Sequence, residues 1–139
     1  MQHPIIEAPL TPELQEAIDK GFSQHAVATV GFDGFTTKPV AFEVWEGAER
    51  IGVCVVQVFW GSLYIKYLIV NEQYRGQGIA SRLVEHALAY GKAKGCTFAS
   101  VATMSFQAPL FYQKLGFRIE LKRAGFATGA ACYYLRKDW

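Results

Sequence analysis

Between Leu68 and Ser81 an apolar, β-branched stretch runs into a glycine-containing turn and then directly into an amphipathic segment. The residues are Leu68-Ile69-Val70-Asn71-Glu72-Gln73-Tyr74-Arg75-Gly76-Gln77-Gly78-Ile79-Ala80-Ser81. That order places several free backbone N–H groups at a helix N-terminus, where the helix dipole adds positive potential, and such a terminus binds phosphate. Gly76 and Gly78 let the backbone approach a ligand with no Cβ in the way. Arg75 and Arg82 add full positive charges at the same end. The chemistry indicated is capture of a phosphorylated ligand.

Three phosphate-binding loops share this outline. The P-loop requires Gly-x-x-x-x-Gly-Lys followed by Ser or Thr, and nothing in the chain fits it. The dinucleotide fingerprint requires a third glycine, but Ser81 stands there, and the acid expected about 20 residues further on is missing from Cys96 to Val101. The third pattern is Gln-x-x-Gly-x-Gly, here Gln73-Tyr74-Arg75-Gly76-Gln77-Gly78, preceded by Leu-x-Val and followed by a long helical stretch. It resembles the acetyl-CoA pyrophosphate loop of the GNAT superfamily of N-acetyltransferases. A second stretch, Ser105-Phe106-Gln107-Ala108-Pro109-Leu110-Phe111-Tyr112-Gln113-Lys114-Leu115-Gly116-Phe117, resembles the other GNAT signature, Asn-x-x-Ala followed by an aromatic or aliphatic residue, Tyr, and Lys-Leu-Gly-Phe. The two occur in the family's order and spacing, and the resemblance is close from about Tyr64 to Phe117.

The resemblance implies acetyl-CoA as cosubstrate and an amine, small-molecule or peptide, as acceptor. Acetyl transfer to an amine makes three demands. The amine must lose a proton, since a free alkylamine has a pKa near ~10. The carbonyl oxygen gains negative charge and needs preset donors. The leaving thiolate needs a nearby acid. By the resemblance, the main chain of Leu68, Ile69 and Val70 pairs with the pantetheine arm and faces the acetyl carbonyl, while the loop from Gln73 to Ser81 holds the pyrophosphate. Tyr112 matches the motif tyrosine that protonates the coenzyme thiolate, against the plainer reading of a ring packed on the sheet. Ala108 and Phe111 are carried over as cofactor-facing, although Phe111, like Phe117, also reads as core. Ser105 stands where the family often has Asn, and its hydroxyl could cap the helix or contact the cofactor. Lys114 is a candidate for a coenzyme phosphate and equally a solvated helix residue.

No general base is evident. Many relatives carry an acid in the strand before Leu-x-Val, but this chain reads Tyr64-Ile65-Lys66-Tyr67 there, and a lysine is no conventional base unless strongly desolvated. Glu43, Glu72 or a water chain are the alternatives. The aromatic residues Phe32, Phe35, Phe42, Trp45, Phe59, Trp60 and Tyr64 fall where the family's acceptor sites lie, and with Glu43 they are the candidate acceptor site. A hydrophobic core or a homodimer face would use the same residues. Lys66 also keeps open a non-catalytic acyl-CoA-binding module, and a nicotinamide-dependent oxidoreductase is the third reading.

These residues need elements to position them. Thr11-Pro12-Glu13 opens a helix, with a cap-like Thr and Pro at the first helical position, that is expected to run to about Ser23. Strands are expected at Pro39–Trp45, Arg50–Phe59 and Leu63–Val70 as an antiparallel meander. A helix from about Gly76 to Lys94 carries the apolar stripe Ile79, Leu83 and Ala87 with Ala80, Val84 and Leu88, and Gly95 ends it. A strand at Thr97–Thr103, a short helix from about Gln107 to Leu115, and strands Phe117–Lys122 and Cys132–Arg136 complete the chain. Strand–helix alternation after residue 60 makes the third and fourth strands parallel, with a right-handed crossover. The fold class is α/β (α+β), and the resemblance implies a mainly antiparallel, mixed central sheet flanked by helices, whose parallel pair splays into a cleft.

Composition fits one domain of 139 residues, with 51% hydrophobic and 14% aromatic residues, large enough for a core. A net charge of +2 with scattered cations argues against a nucleic-acid partner. No apolar run reaches the ~18 residues of a membrane span, and Met1-Gln2-His3-Pro4 does not open a signal peptide. The cysteines, Cys54, Cys96 and Cys132, form no Cys-x-x-Cys pair, so reduced thiols in a cytoplasm are expected. They lie outside both motifs and give no support to a covalent acetyl-cysteine route. His3, His25 and His86 lack ligand spacing, so no metal is expected.

Overall fold

The computed structural model describes residues 2–35 and 37–139, which form two compact units, Met1–Thr36 and Thr37–Trp139. The first is built on helix α1, Pro12–Val30. Thr11 Oγ1 accepts the Leu14 N–H at 3.1 Å, satisfying one of the free donors of the first turn. The helix passes the expected end at Ser23 and runs on to Val30, and a Gln15–Asp19 side-chain hydrogen bond at 2.9 Å supports an earlier turn. Gly31, at φ 72°, ends it in the left-handed conformation, with its N–H donating to Val27 O. Within this unit the Phe22 and Phe35 rings lie 5.7 Å apart, and Asp33 accepts the Phe35 N–H at 2.9 Å, fixing the turn that follows.

The second unit is a six-stranded sheet with helices: β1 Val40–Glu46, β2 Glu49–Phe59, β3 Ser62–Val70, α2 Ile79–Ala93, β4 Phe98–Met104, α3 Pro109–Lys114, β5 Arg118–Arg123 and β6 Cys132–Asp138. The strand order is β1-β2-β3-β4-β6-β5, and only β3 and β4 are parallel. The meander and the crossover therefore follow the sequence expectation. The β2–β3 hairpin turns on Trp60 (φ 50°) and Gly61 (φ 76°), two left-handed residues in succession whose twist suits a two-residue hairpin.

Helix α2 begins at Ile79 rather than Gly76, because residues 72–74 form a separate 3-10 turn and Gly76 and Gly78 are both left-handed at φ 79°. Its face of Ile79, Leu83, Val84, Ala87 and Gly91 is buried on the sheet. Two glycines permit the close approach. A Cβ on Gly52 would lie 3.2 Å from Ile79, and one on Gly91 would lie 3.0 Å from Leu63. Gly91→Val should destabilise the protein by about 1–3 kcal/mol through overpacking against Leu63, read as a lower urea midpoint. An unchanged midpoint would mean that α2 does not press on β3.

Candidate functional site

β3 and β4 pair at only three positions, Leu63 with Ala99, Tyr64 with Ser100 and Ile65 with Val101. Beyond them β3 continues to Val70 and β4 to Met104 without pairing to each other. The parting coincides with a bulge in β3. Val55 faces Tyr67 and Val56 faces Ile65, so Lys66 is the extra residue. A one-residue bulge reverses which side chains face which side of the sheet. Leu63 and Ile65 are the inward residues before it, and Leu68 and Val70 afterwards.

The freed edge of β3 carries usable backbone groups. The Asn71 N–H donates to Ile51 O at 2.8 Å. Antiparallel alternation then directs Ile69 and Tyr67 to β2, and turns the N–H and C=O groups of Leu68 and Val70 toward the gap. Of the three residues proposed to pair with a pantetheine arm, Leu68 thus offers its N–H and C=O and Val70 its N–H, the Val70 C=O being taken by Arg75, while the main chain of Ile69 is engaged by the sheet.

A trough follows the gap. At one end a cavity of about 330 Å3 is lined by Val70, Tyr74, Arg75, Gly76, Gly78, Ile79, Ala80, Ser81 and Phe111. Next to it, sharing Val70, Arg75, Ala80 and Phe111, lies one of about 500 Å3 that adds Leu68, Ile69, Phe106, Gln107 and Ala108. The third, of about 570 Å3, shares Leu68, Ile69, Gln107 and Ala108 and reaches Tyr112. Its walls take residues from both faces of the sheet, Ile65, Leu68 and Thr103 from one and Val53, Val55, Tyr67 and Ile69 from the other, so the gap passes through the sheet.

At the loop end, among the described residues, no N–H from Gly76 to Ser81 donates to another backbone group. Nothing lies within 4 Å of where a Cβ would stand on Gly76 or Gly78. A row of free N–H groups at the start of a 15-residue helix, with open space before it, fits a pyrophosphate. Arg75 is held in place as its Nε donates to Val70 O at 3.1 Å.

At the far end Tyr112 is 5% exposed, edge-on to Phe111 and Phe117 at 5.1 and 5.6 Å. Among the described residues no buried side-chain oxygen or nitrogen lacks a partner, and the Tyr112 hydroxyl makes no hydrogen bond to them, so it is the part of the side chain that meets the cavity. Burial pushes its phenol well above the usual range, with the nearby Cys54 adding to the effect. Burial likewise pushes the Cys54 thiol up to about 11.

Within the second unit other expected residues lie elsewhere. Ser105 does not cap α3. Its Oγ accepts the Ala131 N–H at 3.0 Å, pinning β4 to the segment before β6, and Thr103 Oγ1 meets the Ala108 N–H at 3.3 Å instead. Gln73, Gln77 and Lys114 are exposed and line none of the three cavities of the trough. Phe42 packs on α2, 4.7 Å from the His86 ring and 5.3 Å from that of Tyr90, half-buried against the core. Glu43 pairs with Arg50 at 2.9 Å, and Arg50 also sits 5.7 Å over Trp45. Both Glu43 and Trp45 lie on β1, separated from the gap by β2 and β3. Trp60 sits in the hairpin at the end of β3 where β4 is paired, away from the opening. Tyr64 and Phe59 line a further hollow of about 430 Å3 that shares Lys66 with the gap. Phe32 and Phe35 belong to the first unit. Val53, Val55, Tyr67, Thr103 and Gln107 were missed. Gln107 is an unspecified position of the second motif, and the other four carry no motif and become neighbours only through the register.

Residues 39–119 match the family model of the acetyltransferase (GNAT) domain, more than half of the chain. The chain belongs to the GNAT acetyltransferase family. It is an N-acetyltransferase, and acetyl-CoA is its cosubstrate. It is 35% identical to blasticidin-S acetyltransferase of Streptomyces morookaense over 94 residues, 67% of this chain and 69% of that one. The fold matches that of an acetyltransferase from Bacillus cereus with a TM-score of 0.81 and 26% identity, covering 98% of both chains. It also matches a Bacillus anthracis structure in complex with acetyl coenzyme A, with a TM-score of 0.67 and 21% identity over 73% of this chain and 62% of that one. GNAT membership sets aside the nicotinamide reading of the glycine loop. Among the described residues no helix is long and apolar enough to cross a membrane.

Gly76→Asp would put a carboxylate, in a left-handed backbone position, beside a pyrophosphate held by this loop. It should weaken acetyl-CoA binding at least about 100-fold by calorimetry, since a like-charge juxtaposition costs several kcal/mol. Unchanged affinity would remove the loop from the site.

Proposed function

We propose that this protein transfers an acetyl group from acetyl-CoA to a primary amine by direct attack in a ternary complex, and that the acceptor is a small molecule. The observation that carries the proposal is the gap through the sheet. It joins the glycine loop to Tyr112 and opens on both faces, so cosubstrate and amine can meet from opposite sides. Bound acetyl-CoA supplies an activated acyl carbon and a thiolate leaving group. The N–C bond forms as the C–S bond breaks, and the proton lost by the amine balances the one gained by the thiol.

The chain's own groups have distinct parts. The N–H groups from Gly76 to Ser81 hold the pyrophosphate, assisted by Arg75. The N–H groups of Leu68 and Val70 align the pantetheine arm and stabilise charge on the carbonyl oxygen. Tyr112 stays protonated because burial opposes its ionisation, and it donates to the departing sulfur. Direct transfer is supported by the state of the cysteines. Cys54, Cys96 and Cys132 are all buried, and burial pushes the thiols of Cys54 and Cys96 up, so neither offers a thiolate.

Glu43 is held by Arg50, and no carboxylate lines the gap among the described residues, which favours an amine that arrives neutral or gives its proton to water. The name of the Streptomyces relative, which specifies a small molecule, supports an acceptor of that size. The second unit supplies every group used here.

Tyr112→Phe should lower kcat about 100-fold while leaving acetyl-CoA affinity nearly unaltered, measured by thiol release and calorimetry. Undiminished kcat would leave Tyr112 as packing.

A further inference from the structure

Lys66 is the bulge residue at the point where β3 leaves β4, and it is half-buried. Bulges beside active sites re-aim side chains, and this one borders two hollows at once. One is the gap itself, about 570 Å3, and the other is the adjoining space of about 430 Å3 edged by Gln57, Phe59, Tyr64 and Ser100. Among the described residues lining the two, Lys66 is the only Lys, Arg, Asp or Glu. The ion pairs of the described residues are Arg50–Glu43, Arg118–Asp138 and Arg136–Asp138, so Lys66 has no counter-charge of its own. A partly desolvated ammonium without a partner is unfavourable, and an anion bound beside it offsets that cost. The same positive charge disfavours the ammonium form of an amine held nearby, which helps the nucleophile enter neutral in a gap that has no carboxylate to deprotonate it.

We infer that Lys66 is a specificity-determining residue that selects acceptors bearing a carboxylate or comparable anionic group close to the reacting amine, with the anion seated in the hollow beside Gln57 and Ser100. This rests on the proposed transfer through the gap and names the substrate class of that same site. A carboxylate-bearing amine with an apolar body fits best, since Phe59, Tyr64 and Tyr67 offer ring surface around the charge.

The test follows thiol release from acetyl-CoA with a set of amino acids, each compared with its own amide. The wild-type protein should favour the carboxylate member by about tenfold or more in kcat/KM, as one charge-assisted hydrogen bond allows. Lys66→Arg should keep the preference and Lys66→Met should erase it, both with the acetyl-CoA affinity and melting temperature of the wild type. Equal use of acid and amide by the wild type, or a preference that survives in Lys66→Met, would overturn the assignment. If no pair turns over, calorimetric binding of the same pairs to the acetyl-CoA-loaded protein reads the discrimination directly, and no advantage for the acid would again overturn it. Failure of the wild type to bind acetyl-CoA is a separate result that would contradict the proposed function itself.

Discussion

β3 and β4 are held together by three residue pairs, and just beyond the last of them, Ile65 with Val101, an extra residue is inserted into β3. A continuous parallel ladder would consume the N–H and C=O groups along the facing edges of both strands. Because it stops, the edge of β3 keeps the N–H and C=O of Leu68 and the N–H of Val70 for a ligand, and the sheet acquires a hole instead of a seam. The cost of leaving that edge open is met elsewhere. β2 remains paired along the other side of β3, and α2 presses Ile79 and Leu83 onto Gly52 and lies over Leu63 at Gly91. Close packing of α2 on β2 and at Leu63 thus backs the strand that has the least partner on its working side.

The electrostatics of the trough are asymmetric. At the glycine loop, unpaired N–H groups and the helix dipole give a positive end suited to phosphate, reinforced by an Arg75 fixed through Val70. At Tyr112 the walls are apolar and ring-lined, so a phenol and the thiol of Cys54 remain protonated. On the far side stands Lys66, without an acid near it among the residues lining the gap. In the proposed transfer a neutral nucleophile would meet its acyl partner between two positive regions, where charge developing on the carbonyl oxygen is stabilised and an ammonium is not.

Much of this was legible in the sequence, because the relevant signals are local. Gly76, Gly78 and the apolar stripe from Ile79 onward mark a strand–loop–helix unit, and their spacing to Tyr112 fixes which crossover separates the two motifs. The antiparallel meander was readable from turn residues and alternating strands. What escaped was set by register. The bulge at Lys66 has no sequence signature, yet it decides that Leu68 and Val70, not Ile69, face the gap, and that Val53, Val55 and Tyr67 line it. Aromatic residues misled for the related reason that composition does not record which face of a sheet they occupy. Phe42 turns to α2, Trp45 lies across two strands, and Trp60 is spent on a hairpin. Ser105 escaped similarly, since its partner Ala131 is 26 residues away in the chain.

Backbone amide NMR during a titration with acetyl-CoA tests the central claim most directly. If the parted strands form the cosubstrate site, the amides of Gly76 to Ser81 should shift together with those of Leu68 and Val70. The amides of Glu43 and Trp45 on β1 should stay still. Shifts confined to β1, or a loop response with Leu68 and Val70 unmoved, would contradict the account.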